Sequence, residues 1–358
     1  MPARQQSLEE LLGLLCPTVC SGLPVYDIFC GGGGFSQGAC DAMCNVVFAC
    51  DHDKNSIETH RLNHPNAVHW CCSLPRDDLP FPSDGSEFHV HGSPPCTKFS
   101  PQNASNRVSG DTALAEELVQ WYLRLALSSQ ATSWSMEQVP CKPVIEIVRH
   151  FKKDYNHVLD FDVFDMSKFG VPQTRKRLIA GSPFIIAALR RRSQTPTFKS
   201  TRDAIPKARG THIRNSKAWT QKIKNTEPGS GRKYEYIKAT WGDNCVAIDG
   251  LSPTVLAKHA LTWVSNGGKS HSVMTTKELA ALQTFPPTYK FPRSCSISQL
   301  LVGNAVPPLF ARLIMEACLQ SRKGLGTGLD GMRLVGNAVP PLVAELLQQA
   351  EKRAPGRE

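Results

Sequence analysis

The sequence predicts an α/β fold: a doubly wound sheet with a second, smaller and loop-rich domain. Within residues 25–51 a buried-strand pattern, four consecutive glycines, a helical stretch and a second strand follow one another, the unit that opens nucleotide-binding sheets. From about residue 193 to 250 the periodicity fades, and the chain becomes basic and rich in Pro, Gly, Thr and Asn, as in a separate module with a loop-rich surface. The length, 358 residues, is enough for one large core plus a smaller one.

Each element has a local reason. Ser7 and Glu10 fit a capping box opening a short amphipathic helix. VYDIFC (25–30) reads as a buried strand, GGGG (31–34) breaks it, FSQGACDAM has helical composition, and NVVFAC forms a second strand ending at Asp51. HWCCSL supplies the third strand, and EFHVHG a further one that delivers the turn SPPC, closing on Cys96. Residues 100–112 (SPQNASNRVSGDT) form a polar loop. A helix over about 113–128 places Leu114, Leu118, Trp121 and Leu125 on one buried face. SWSMEQV is a strand with Glu137 towards its far end. After LIAGSPF (178–184) comes the basic module, and regular structure resumes at LSPTVLA and the helix TTKELAALQTF. LVGNAVPPL occurs twice, at 301–309 and 334–342.

Composition narrows the function. Net charge is +10, and residues 186–240 hold 14 Lys and Arg against 3 Asp and Glu, so the rest of the chain is nearly neutral. A concentrated basic segment is the footprint of a polyanion-binding surface or of a solvated loop. No stretch approaches the ~18–20 apolar residues of a membrane span, and Glu9 and Glu10 interrupt the apolar run that a signal peptide needs. The 13 cysteines are therefore expected as reduced, mostly buried thiols. No CxxC pair exists, so no metal site is expected.

Four features carry chemistry. Glycines after a strand allow close approach to a bulky ligand, although sharp turns use them too. Asp51, ending the second strand ~20 residues on, is placed for ribose hydroxyls. Cys96 is a lone thiol behind two stiff prolines. Glu137 and the cluster QTRKR (173–177) follow, with Arg175 and Arg177 at alternating positions that direct both guanidiniums to one site. The loop DIFCGGGGF departs from GxGxxG, which argues against a nicotinamide-dependent oxidoreductase.

These features, in this order and over roughly residues 25–320, resemble the DNA cytosine-5 methyltransferases. The resemblance implies a Rossmann-like methyltransferase sheet and S-adenosylmethionine as cofactor. Phe29, Gly31, Gly33 and Pro95 would line its site, Asp51 would hold its ribose, and Asn304 and Val306 of the first GNAVPP would fold back against it. It also implies Cys96 as the nucleophile that attacks carbon 6 of a flipped cytosine, Glu137 as the carboxyl sharing a proton with ring N3, and Arg175 and Arg177 as partners. One guanidinium would pair with Glu137, and the other would reach the cytosine carbonyl or a phosphate. Two departures stand out: Gln138 replaces the usual asparagine of Glu-Asn-Val, and cysteines occupy the place of a third-strand acid.

The implied domains are 1–184, a catalytic S-adenosylmethionine-binding domain completed by 296–320; 185–295, a target-recognition domain; and 321–358, a tail carrying the repeated segment. Trp219, Tyr234, Tyr236 and Trp241 are candidates for base stacking or for anchoring the small domain. The expected partner is double-stranded DNA, bound by a monomeric, intracellular protein, nuclear in a eukaryote and cytoplasmic in a bacterium. The alternatives are a tRNA cytosine-5 methyltransferase and a catalytically silent nucleic-acid-binding homologue.

Overall fold

The computed structural model describes residues 22–95, 109–205, 211–212, 236–239, 245–258, 261–265 and 270–324. Ser7, Cys96, most of the loop at 100–112, Trp219, Tyr234, Trp241 and the second LVGNAVPPL lie outside the described residues.

The first strand, β1 (Pro24–Ile28), leads through the glycines into α1 (Gly34–Asp41), β2 (Asn45–Asp51), α2 (Lys54–Asn63) and β3 (Val68–Cys71). Then come β4 (His89–Gly92), α3 (Ser109–Ser128), β5 (Ser133–Gln138), α4 (Lys142–Asp154), β6 (Asp160–Asp165), β7 (Lys176–Gly181) and α5 (Pro183–Ser193). These strands form a seven-stranded sheet of order β3-β2-β1-β4-β5-β7-β6. β1, β2 and β3 pair in parallel, as do β4 and β5, whereas β7 runs antiparallel to β5. Strand order and helical crossovers are those of a doubly wound α/β fold, as the sequence predicts. The strands are buried, and apolar residues such as Val25, Ile28, Val90, Met136 and Ile179, all 0% exposed, share their interiors with polar ones such as Asp27, His89 and Ser135.

The remaining elements are α6 (Thr201–Ala204), β8 (Thr211–His212), β9 (Tyr236–Ala239), β10 (Cys245–Ala247), β11 (Leu261–Ser265), β12 (Ser270–Val273), α7 (Thr276–Leu282), α8 (Cys295–Asn304) and α9 (Pro308–Gly324). The described part of the expected loop-rich module contains an antiparallel five-stranded sheet, ordered β10-β9-β11-β12-β8. Its strands, two to five residues long, are too short to register as alternation in the sequence. Ile237, Leu261 and Trp263 anchor its core together with Leu279 and Leu282 of α7. A reciprocal capping box between Thr275 and Glu278 opens α7.

The phase expected for the 113–128 helix is off by about one residue. Leu114 is exposed, and the buried seam is Ala115, Leu118, Val119, Tyr122, Leu123 and Ala126. Alanines and a tyrosine complete the stripe, and a pattern scored on leucines misses them.

The expectation that no stretch is apolar enough for a membrane span also needs correction. Residues 295–322 pass by length and composition, with 67% of the most apolar window buried within the protein. The stretch is two helices, separated at Ala305–Pro307, and it serves as core.

The chain divides into two compact units. One comprises residues 1–72, 165–175 and 195–316, the other residues 73–164, 176–194 and 317–358.

Candidate active site

The glycine loop belongs to the first unit. β1 ends in an abrupt turn, with Phe29 at φ 58°, Gly31 at φ 51° and Gly33 at φ 89°. Left-handed backbone costs an aromatic residue on the order of 1–2 kcal/mol, strain of a kind concentrated at ligand sites. Asp51 braces the turn: its Oδ2 accepts the Gly31 N–H at 2.9 Å and its Oδ1 accepts the Asp53 N–H at 2.9 Å. Oδ1 also lies 3.2 Å from His52 Nδ1, so it is Oδ2 that keeps a second lone pair for a hydroxyl. A Cβ built on Gly31 meets nothing within 4 Å, so the loop borders open space on that side. This cradle, with an acid at its floor, fits a nucleoside-bearing cofactor.

Gly33 is packed on its Cβ side. A side chain there would fall 2.4 Å from the Tyr289 hydroxyl and 3.1 Å from the rings of His60 and His64, so the missing Cβ makes room for protein. Gly34 and Gly38 serve close packing: their Cβ positions lie 2.4 Å from the Val306 carbonyl oxygen and 2.2 Å from that of Pro308. The first GNAVPP therefore folds back against the glycine loop through Val306, which is buried, while Asn304 on the same segment is exposed.

Behind the loop runs a polar cluster that the sequence reading did not identify. The Ser36 hydroxyl donates to Asp27 Oδ2 at 2.6 Å, His60 Nε2 lies 2.9 Å from Ser36 Oγ, and His60 Nδ1 lies 2.8 Å from His69 Nε2. The Tyr289 hydroxyl donates to the Gly32 carbonyl at 2.6 Å. Burial pushes the Asp27 carboxyl up to about 7, drives His60 well below the usual imidazole range and takes His64 down to about 4. The available signal was the spacing of His60 and His64, four apart on one helix.

Arg175 is also in this unit, where main-chain carbonyls hold its guanidinium. It lies just before β7, is 1% exposed, and donates to the main-chain carbonyls of Val255, Gly303 and Ala305 at 3.0–3.3 Å. The Gln283 amide donates to the carbonyls of Val302 and Ala305 at 2.7 and 3.1 Å, so two side chains clamp the turn that carries GNAVPP. The alternating-face argument fails because position 175 precedes the strand.

In the second unit, β5 carries Glu137 and Gln138 at its C-terminal end. Arg177 Nε lies 2.9 Å from Glu137 Oε1, with both side chains largely buried. The pairing follows from register: Glu137 sits opposite Ile179, two residues from Arg177. Gln138 is 1% exposed, and its amide donates to the Pro94 carbonyl at 3.0 Å while its oxygen accepts the Val139 N–H at 2.7 Å. The glutamine thus ties down the SPP segment that leads to Cys96. Pro95, half-buried, is the last described residue before that thiol.

Breaking the Glu137–Arg177 pair strands a carboxylate in a poorly solvated position. Arg177→Ala is expected to lower kcat for methyl transfer about 100-fold or more and to cost about 3 kcal/mol in unfolding free energy. Steady-state kinetics and denaturant melts read the two effects separately. Unchanged kcat would remove Arg177 from the site.

Among the described residues no group of three or more His, Cys, Asp or Glu is placed to hold a metal ion. The described cysteines form no disulfide with one another.

Comparison with known proteins agrees with this arrangement. The family model for C-5 cytosine-specific DNA methylase matches residues 23–320. The chain is similar to the type II methyltransferase M1.HphI of Haemophilus parahaemolyticus, 26% identical over 333 residues, covering 84% of this chain and 88% of that one. It is similar to M.HgiDI of Herpetosiphon aurantiacus, 25% identical over 299 residues, covering 80% and 90%. Among solved structures, a putative DNA modification methyltransferase encoded within an E. coli prophage superposes with TM-score 0.61 at 19% identity, covering 84% of this chain and all of that one. A DNMT2 protein of Spodoptera frugiperda gives TM-score 0.53 at 13% identity, covering 83% and 100%. The two structural likenesses bear on fold, whereas the family match spans both the glycine loop and the Glu137–Arg177 pair. The chain belongs to the C-5 cytosine-specific DNA methylases and is a DNA cytosine-5 methyltransferase.

Proposed function

We propose that this methyltransferase acts through Cys96 on a cytosine flipped out of duplex DNA, with Glu137 and Arg177 as its polar partners. The observation that supports this most is the buried Glu137–Arg177 pair beside Gln138, which holds the backbone two residues before Cys96. S-adenosylmethionine, when bound, supplies an electrophilic methyl group; Phe29, Gly31, Asp51 and Val306 would hold it, with Asn304 and Pro95 at the margins. The Cys96 thiolate adds to carbon 6, and ring electron density moves towards carbon 5 and N3. Glu137, fixed by Arg177, shares a proton with N3 and so lowers the barrier to that addition. After methylation, loss of the carbon 5 proton re-forms the double bond and expels the thiolate of Cys96. Flipping costs a few kcal/mol of unstacking, which phosphate contacts from the basic region within 185–295, the proposed target-recognition domain, would offset. Arg175 takes no part in the chemistry and fastens the GNAVPP turn instead. The protein is proposed to work as a monomer inside the cell, and its bacterial relatives support that compartment.

Incubation with S-adenosylmethionine and duplex DNA containing 5-fluorocytosine tests the reading, because fluorine blocks the elimination that frees the thiol. Wild type is expected to give a denaturation-resistant adduct and Cys96→Ser none. An adduct that survives Cys96→Ser would assign another nucleophile. Preferential trapping of tRNA over duplex DNA would change the substrate.

A further inference from the structure

Two buried histidines are unaccounted for by the reaction. His89 and His91 are both 0% exposed and alternate on β4, so their imidazoles leave the same face. Ser133 and Ser135 alternate likewise on the neighbouring strand β5, and the parallel register sets His89 beside Ser133 and His91 beside Ser135. The result is a continuous chain of hydrogen bonds. His89 Nδ1 lies 2.8 Å from Ser133 Oγ, and His89 Nε2 lies 3.0 Å from Ser135 Oγ. His91 Nδ1 lies 2.8 Å from the same Ser135 hydroxyl, and His91 Nε2 lies 3.0 Å from Ser93 Oγ. Cys318 Sγ joins the far end, 3.6 Å from His89 Nδ1.

A neutral imidazole has one N–H and one lone-pair nitrogen, so each ring bridges two hydroxyls, donating to one and accepting from the other. Burial keeps both rings neutral, with His89 pushed down to about 3 and His91 well below its ordinary value. An apolar strand pair of the same shape would fill this space without the desolvation cost of five polar groups. What the polar ladder adds is a fixed end. That end is Ser93, which is followed by Pro94 and Pro95.

Proline locks φ near −65°, so few soft dihedrals separate Ser93 from residue 96. A backbone direction set at Ser93 is therefore transmitted along the segment, and Gln138 holds the Pro94 carbonyl from the other side. We infer that His91, through Ser93, is a positioning residue for the nucleophile: the histidine–serine ladder fixes the backbone of Ser93, Pro94 and Pro95, the segment that precedes Cys96 in the chain. The inference rests on the proposed role of Cys96.

The test is the single-turnover rate of adduct formation with 5-fluorocytosine duplex DNA and S-adenosylmethionine. It compares wild type, Ser93→Ala, Ser93→Cys and Ser93→Thr, with Tm and cofactor affinity measured alongside. Ser93 is only half-buried, so these changes are mild for folding. Ser93→Ala and Ser93→Cys, which remove or weaken the bond, are expected to slow adduct formation about 10-fold. Their Tm should stay within about 2 °C and their cofactor affinity within about twofold of wild type. Ser93→Thr restores the hydroxyl and is expected to recover the rate to within about threefold. Wild-type rates in Ser93→Ala, equal slowing in all three variants, or a loss that follows Tm would overturn the inference. Absence of any adduct from wild type would instead overturn the reading of Cys96 on which it rests.

Discussion

Arg175→Ala is expected to destabilise the protein by about 2–5 kcal/mol, the cost of leaving buried carbonyls without their donor. The side chain is 1% exposed and donates to the carbonyls of Val255, Gly303 and Ala305. Alanine removes this donor from the carbonyls of Val255 and Gly303, each costing about 1–3 kcal/mol if water cannot enter, whereas the Ala305 carbonyl keeps the Gln283 amide. Against a total stability of about 5–15 kcal/mol this is a large fraction. Arg175→Lys should recover little, because an ammonium lacks the planar fork that reaches several carbonyls at once. Thermal and urea melts check both variants. A Tm within about 2 °C of wild type would show that the carbonyls find other donors. Arg177→Ala, two residues along, is expected to fall chiefly on catalysis, so the pair separates two uses of one side-chain type.

Acid is expected to unfold the protein at a pH where many proteins remain intact. His60, His64, His89 and His91 are all buried, and each is held below its ordinary value by burial. Between about pH 6.5 and 4 the unfolded chain binds a proton at each of these four, while the folded chain does not. Asp27 works in the opposite sense. Raised to about 7 by burial, it holds a proton in the folded state that the unfolded chain releases above its own lower pKa. Exposed His52 is raised by its hydrogen bond to Asp51 and half-buried His69 is lowered by burial, so they largely offset each other. The unfolded chain thus carries about three more protons in this window. Stability therefore falls as pH falls, by about 4 kcal/mol per pH unit. From pH 6.5 to 5 that amounts to about 6 kcal/mol, comparable with the whole stability of an ordinary domain. Urea melts followed by circular dichroism from pH 8 to 4.5 measure the slope. Stability that is flat between pH 7 and 5 would mean that these histidines take protons without unfolding.

Much of this was legible in residues, and what was not has identifiable causes. VYDIFC, the glycines and NVVFAC gave the opening of the sheet because a buried parallel strand is a nearly continuous apolar run, interrupted here by Asp27. Glu137 was legible as the end of a strand. The pairing of Arg177 with it depends on an antiparallel register between segments about 40 residues apart, which spacing alone does not set. Arg175 has the same chemistry as Arg177, and only the turn before β7 sends it to the carbonyls of a segment about 130 residues away. Gly33 and Gly34 looked like room for a ligand and prove to be room for Tyr289 and Val306, since sequence cannot say what fills a missing side chain. The histidine ladder had a signal in the matched alternations of EFHVHG and SWSMEQ, polar residues on one face of two strands that pair.

Gly38 meets the Pro308 carbonyl across 270 residues of sequence. On the ribosome, which adds about 5–20 residues per second, Pro308 is made roughly 15–50 s after Gly38. Throughout that interval α1 has no backbone to pack against on this side, however quickly the first strands pair. The nascent N-terminal half therefore presents an unfinished apolar face for most of its synthesis, a target for chaperones and for premature association. A ribosome stalled before residue 308 would release a chain whose glycine loop has no closing wall.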